Sequence, residues 1–119
     1  MSLNRWCGVG RLTRQPELRI TPSSVSVTTF TLAVDRRPKE DGTKECDFID
    51  CVAFGKLAEI VCKYTDKGRQ VAVEGRLQKR SWDGKDGVKR YAVEVIADNV
   101  QFLGGKPKEG EAQNEAPTE

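Results

Sequence analysis

A chain of 119 residues holds one domain with one modest core, a size that favours closing a sheet into a barrel or gaining stability by oligomerisation. Charged residues make up 32% against 37% hydrophobic, rich in charge yet compatible with a globule; no apolar run approaches the roughly 20 residues of a membrane helix, and a cytosolic protein is expected. The lack of histidine removes the commonest general base, and with it Ser-His, Cys-His and metal-hydrolase schemes, so that only carboxylates remain for catalysis.

In chain order, LNRWCGVGRLT (3–13) mixes β-formers with Gly8 and Gly10, glycines that in a strand mark a bulge or a bend at a barrel corner. PELRITPSSV (16–25) reads as a turn region. VSVTTFTLAVD (25–35) alternates, with Phe30, Leu32 and Val34 on one face and Val27, Thr29 and Thr31 on the other. After a second turn region, RPKEDGTKE (37–45), CDFIDCVAF (46–54) alternates with apolar groups on both faces: Ile49, Cys51 and Ala53 on one, Phe48, Val52 and Phe54 on the other. The second set needs a destination other than an ordinary core.

KLAEIVCKYTDKG (56–68) changes period. Leu57, Ile60, Val61 and Tyr64 fall at i, i+3, i+4 and i+7, the stripe of a short helix, and Gly68 stands where a left-handed terminator is expected. QVAVEGRLQKR (70–80) returns to period two, burying Val71, Val73 and Leu77 and turning Glu74, Arg76, Gln78 and Arg80 outward. A glycine-bearing loop follows, with Trp82 at its entrance amid Lys79, Arg80, Lys85, Lys89 and Arg90, and YAVEVIADNVQFL (91–103) is the last strand. Taken alone, such a hairpin is ordinary and its tryptophan covers an edge of the core.

From Lys106 to Glu119 the sequence KPKEGEAQNEAPTE has two lysines, four glutamates and no bulky apolar residue; it is expected to be a disordered acidic tail. The net charge is +2 for the chain and −2 for this tail, which leaves +4 on residues 1–105, 18 cations against 14 anions, so placement of charge matters more than its total. Cysteines 7, 46, 51 and 62 lie in apolar stretches where a free thiol behaves as a small hydrophobe. Without a C-x-x-C pair or a histidine, no metal site is expected, and no cofactor.

The order of three strands, one helix and two strands fits an all-β fold, the five-stranded OB-fold barrel with a helix between strands 3 and 4, spanning 1–105. A generic β-rich α+β fold is the structural alternative. LNRWCGVGRLTRQPELRITPSSVSVTTFTLAVDR resembles the opening of bacterial single-stranded DNA-binding proteins, DFIDCVAFGKLAEIV their third strand running into the helix, and KGRQVAVEGRLQKRSWDGKDGVKRYAVEVIADNVQFLGG their last hairpin and exit strand. The likeness covers roughly residues 3–105 in unbroken order.

That resemblance implies sequence-independent binding of single-stranded DNA in replication, recombination and repair by a non-enzymatic homotetramer in the cytoplasm, beside the nucleoid. It places Phe48, Phe54 and Trp82 where the family stacks bases, each stack being worth about 1 to 3 kcal/mol whatever the base. Candidate phosphate ligands are Arg5, Arg36, Arg37, Lys56, Arg76, Lys79, Arg80, Lys85 and Arg90, with Lys56, Arg80 and Arg90 at matching positions; each alone could equally be a solvated surface charge. Departures are Pro38, about where many members place another stacking tryptophan, Trp6 in place of an aliphatic residue, and an ending EAPTE without the aspartate-rich, Pro-Phe-capped tip that recruits replication and repair proteins. Rival readings are an RNA-binding OB module, a protein-docking relative of the primosome type, and a nuclease. The last needs clustered carboxylates, whereas Asp35, Asp41, Asp47, Asp50, Asp83 and Asp86 are dispersed along the chain.

Overall fold

The structure is a computed structural model and describes residues 2–104. The segment 106–119, expected to be an acidic tail, lies outside the described residues. Among the described residues the order is β1 (Trp6–Leu12), β2 (Glu17–Ile20), β3 (Ser26–Asp35), β4 (Cys46–Phe54), α1 (Lys56–Tyr64), β5 (Gln70–Asp83) and β6 (Lys89–Phe102). The sheet runs β1-β5-β6-β4-β3-β2, and a further β1–β3 pairing at Arg11↔Ala33 and Leu12↔Leu32 closes it on itself. β4 and β6 are parallel at Cys51↔Val95 and Val52↔Ile96, while the other pairings are antiparallel. This is the expected OB-type barrel, made of β1, β3, β4, β5 and β6.

Closure depends on close backbone approach. A side chain on Gly10 would meet the Ala33 carbonyl oxygen at 2.7 Å, so only glycine lets β1 bend from β5 onto β3. The core holds Leu32, Cys51, Val61, Val71, Val73 and Val95, all nearly inaccessible, and removing such a side chain from water contributes about 1.5 to 3 kcal/mol each. α1 packs on β3 and β4 and places Ala58 and Val61 in that core, with Leu57 beside it. Trp6 is partly buried against the core, its ring lying across Gly8.

Four expectations change. Residues 17–20 form a strand rather than a turn, because Glu17–Ile20 pairs in register with Ser26–Thr29. The helix therefore lies between the fourth and fifth strands of the chain, not the third and fourth. α1 also ends at Tyr64: Thr65 is extended, and its backbone N–H and hydroxyl both donate to the Val61 carbonyl, while Gly68, at φ 85°, turns the chain into β5. Leu77 is exposed rather than buried, since β1 pairs with β5 only as far as Trp6↔Gly75. Of the cysteines, all free, Cys51 alone is fully buried; alternation in β1 turns Cys7 outward.

Candidate nucleic-acid interface

Register decides which side chains share a surface, because directly paired residues project to the same side. Across β3 and β4 the partners are Val27↔Phe54, Thr29↔Val52, Thr31↔Asp50 and Ala33↔Phe48. Val52 stands beside Ile96 of β6, and Ile96 opposite Arg76 of β5, followed by Gln78↔Glu94, Arg80↔Ala92 and Trp82↔Arg90. One continuous outer face thus carries Phe48, Phe54, Trp82, Arg76, Arg80 and Arg90. Its centre is a small buried apolar platform of Val27, Val52 and Ile96.

The rings on this face are open to solvent. Phe48 is 66% exposed, although hydrophobic, and Phe54 about half. Six residues apart on β4, they stand about 20 Å from each other at the usual strand rise. Trp82 is 40% exposed and carries the Arg80 guanidinium 4.7 Å from its ring centroid. Arg80 is held from its other side by Glu94, 3.4 Å away and mostly covered. Two carboxylates therefore lie in the floor between the strands: Glu94, and Asp50, which accepts from the Thr31 hydroxyl at 2.8 Å.

The cations expected to meet phosphates fall into distinct settings. Lys56 is exposed at the start of α1, one glycine beyond Phe54; Gly55 there has φ 64°. Arg90 crosses Gly84 and donates to Asp86 at 2.9 Å. Lys85 is exposed in the hairpin turn, and Arg37 in the β3–β4 loop. Arg36 is engaged within that loop by Asp47 at 2.7 Å and Glu45 at 3.0 Å. Its hydrogen bonds hold the Asp47 carboxyl below the ordinary aspartate value, and the same contacts raise Arg36. Arg5 is paired with Glu74 and, at 3.4 Å, with Asp98, on the β1–β5 side of the barrel. Lys79 points to the reverse side of the hairpin, with its ammonium 4.0 Å from the Tyr91 ring centroid.

Arg14 and Arg19 do not stand out in the sequence. Arg14 lines a groove with Thr29, Thr31, Asp50, Arg80 and Glu94, and together with Gln15, Glu17, Arg19 and Thr29 it lines the adjoining one. The basic turn RLTRQ is the available signal, but only closure of the barrel brings it beside the aromatic face. Among the described residues, no three of Cys, Asp and Glu come together as a metal-ligand group, and no helix is long and apolar enough to cross a membrane. Cys51 borders the groove from below; burial, with Asp50 and Glu94 adding to it, pushes its thiol up to about 12, so it stays protonated.

Comparison with known proteins identifies the family of the chain. The family described as the single-strand binding protein family matches residues 3–103. The chain is 50% identical to a single-stranded DNA-binding protein of Clostridium tetani over 91% of its own length and 77% of the relative's. It is 52% identical to single-stranded DNA-binding protein 2 of Staphylococcus aureus, over 93% and 79%. A single-stranded DNA-binding protein of Bacillus cereus is 50% identical over 91% of this chain and 63% of its own length.

Proposed function

The chain belongs to the single-strand binding protein family, and from that premise we propose that it binds single-stranded DNA without reading its sequence. The observation that carries this reading is a single sheet face on which Phe48 and Phe54, and a tryptophan capped by Arg80, are displayed among cations and partly open to solvent. An unpaired base has a π face on each side, so it stacks on such a ring regardless of its identity. Arg76, Arg80, Arg90, Lys56 and Arg14 supply positive charge for the phosphates along the way. Base edges are not needed for recognition, and no chemical step is part of the proposal. The protein coats exposed strands during replication, recombination and repair, blocks re-pairing and nucleases, and passes the strand on.

The assembly proposed is a homotetramer in the cytoplasm, beside the nucleoid. It is supported by the edge of β1: among the described residues, Trp6–Gly10 pair with β5 on one side only, since β3 takes only Arg11 and Leu12. A second copy pairing along this edge satisfies the exposed backbone groups.

Trp82→Ala tests the binding role. Oligo(dT) affinity is expected to fall by about 1 to 3 kcal/mol, with the thermal unfolding curve close to the parent's, because the ring is largely outside the core. Parent-like affinity in the variant would return Trp82 to a purely structural place. Competition between poly(dT) and poly(U) separates DNA from RNA as the preferred strand.

A further inference from the structure

The proposed track uses one face of the β5–β6 hairpin, and alternation gives that hairpin another. β1 leaves β5 at Gly75 and β4 pairs with β6 only at Val95 and Ile96, so residues 77–83 and 89–93 extend past these ladders as a two-stranded arm. On its reverse side lie Leu77, Lys79, Ser81 and Asp83 of β5, opposite Val95, Val93, Tyr91 and Lys89 of β6. Inside the barrel this side is the core, and Val95 is fully buried. In the arm it is bare: Tyr91 is 55% exposed and Val93 59%.

This face repeats the chemistry of the front. Lys79 stands 4.0 Å from the Tyr91 centroid, as Arg80 stands 4.7 Å from that of Trp82. Leu77 and Val93 flank the ring with flat apolar surface, and Lys89 adds a second cation toward the tip. Between Arg76 and Val93 the sequence carries six Lys and Arg against two Asp, so the arm is positive on both sides. Charge selects the occupant. A protein seated here would desolvate Lys79 and Lys89 with Asp83 as the one acidic side chain of that face, whereas a polyphosphate neutralises both and releases counterions.

We infer that the reverse face of the arm is a second subsite for single-stranded nucleic acid, in which a base stacks on Tyr91 and phosphates meet Lys79 and Lys89. A strand leaving the outer track past Trp82 then folds around the arm instead of departing from its tip. The inference rests on the reading of the outer face as a single-strand track, and it adds a site that short strands do not reach.

The test compares Tyr91→Ala, Trp82→Ala and the parent on a dT oligomer of about 4 to 8 nucleotides and on one several times longer. Tyr91→Ala is expected to bind the short oligomer as the parent does and the long one about 5- to 150-fold more weakly. Tyr91→Phe, which keeps the ring, restores parent affinity. A Tyr91→Ala protein with parent affinity for the long oligomer overturns the second subsite. So does equal loss on both lengths, and so does a change in subunit number by light scattering with affinity intact, which assigns the face to a protein contact. If Trp82→Ala weakens binding while Tyr91→Ala does not, the outer track stands and the second subsite falls. If Trp82→Ala weakens neither length, the outer track falls first and the inference with it. Should Tyr91→Ala melt early, Lys79→Gln combined with Lys89→Gln reads the same site. Its salt slope on the long oligomer is expected to be shallower by about 0.7 for each phosphate no longer neutralised, and an unchanged slope overturns the proposal.

Discussion

Arg36 meets any incoming strand already occupied, and this makes its role measurable. Its hydrogen bonds to Asp47 hold that carboxyl below the ordinary 3.8. An aspartate with a depressed folded value adds stability that is complete above 3.8 and is lost as pH falls through the lower folded value, so the pair supports the fold at neutral pH and ceases to do so in acid. A phosphate that draws Arg36 away leaves Asp47 without its donor. The Asp47 titration, followed by carboxyl NMR, is then expected to move up toward 3.8 when oligo(dT) is bound. An unmoved curve would show Arg36 still closing its loop in the complex. Residue by residue, the two-fold period of β4 makes the shared face of Phe48 and Phe54 legible in the sequence, since both positions are even-numbered in one strand. The same rule separates Lys79 from Arg80, which adjacent positions in a strand cannot hold on one side; grouping the hairpin's cations by nearness along the chain hides this. Cys7 illustrates the converse, because an apolar neighbourhood in sequence does not say which way a strand residue points.

The elements show where periodicity stops being informative. β2 is short and wholly exposed, four residues whose polar–apolar alternation is too brief to stand out from a turn, and it becomes a strand because β3 offers it an edge. Leu77 continues the inward phase of Val71 and Val73, but the phase does not say where the covering strand ends. The bulge between Glu74 and Gly75 is the joint of this architecture, separating the part of β5 that walls the barrel from the part that forms the arm. A side chain on Gly75 would run into the Ile96 carbonyl. Gly75→Ala is therefore expected to lower the stability by about 1 to 3 kcal/mol in urea unfolding, because backbone rather than a flexible side chain must move. An unchanged midpoint would mean that the bulge yields at little cost. The helix is legible from its stripe, but its end is not: Thr65, rather than the left-handed glycine, terminates it.

At the scale of the whole molecule, barrel order and the helix are readable from element order, whereas the face that gathers Phe48, Phe54 and Trp82 is readable only in pieces. Trp82 and Phe48 are far apart in sequence, and the parallel β4–β6 contact with the bulged β5–β6 ladder brings their side chains to one face. No spacing rule in the chain encodes that. With about five phosphates neutralised per site, log K is expected to fall with log salt at a slope of roughly −3 to −4, measured by titration at a series of salt concentrations. A flat dependence would mean that the cations around the rings do not hold the backbone of the strand. The central claim is that bases lie on the exposed rings of this face, and tryptophan emission during addition of oligo(dT) at low ionic strength tests it most directly. Emission from Trp82 is predicted to fall to a stoichiometric end point in the parent and to recover as salt is added; emission that stays constant through the titration would contradict the account.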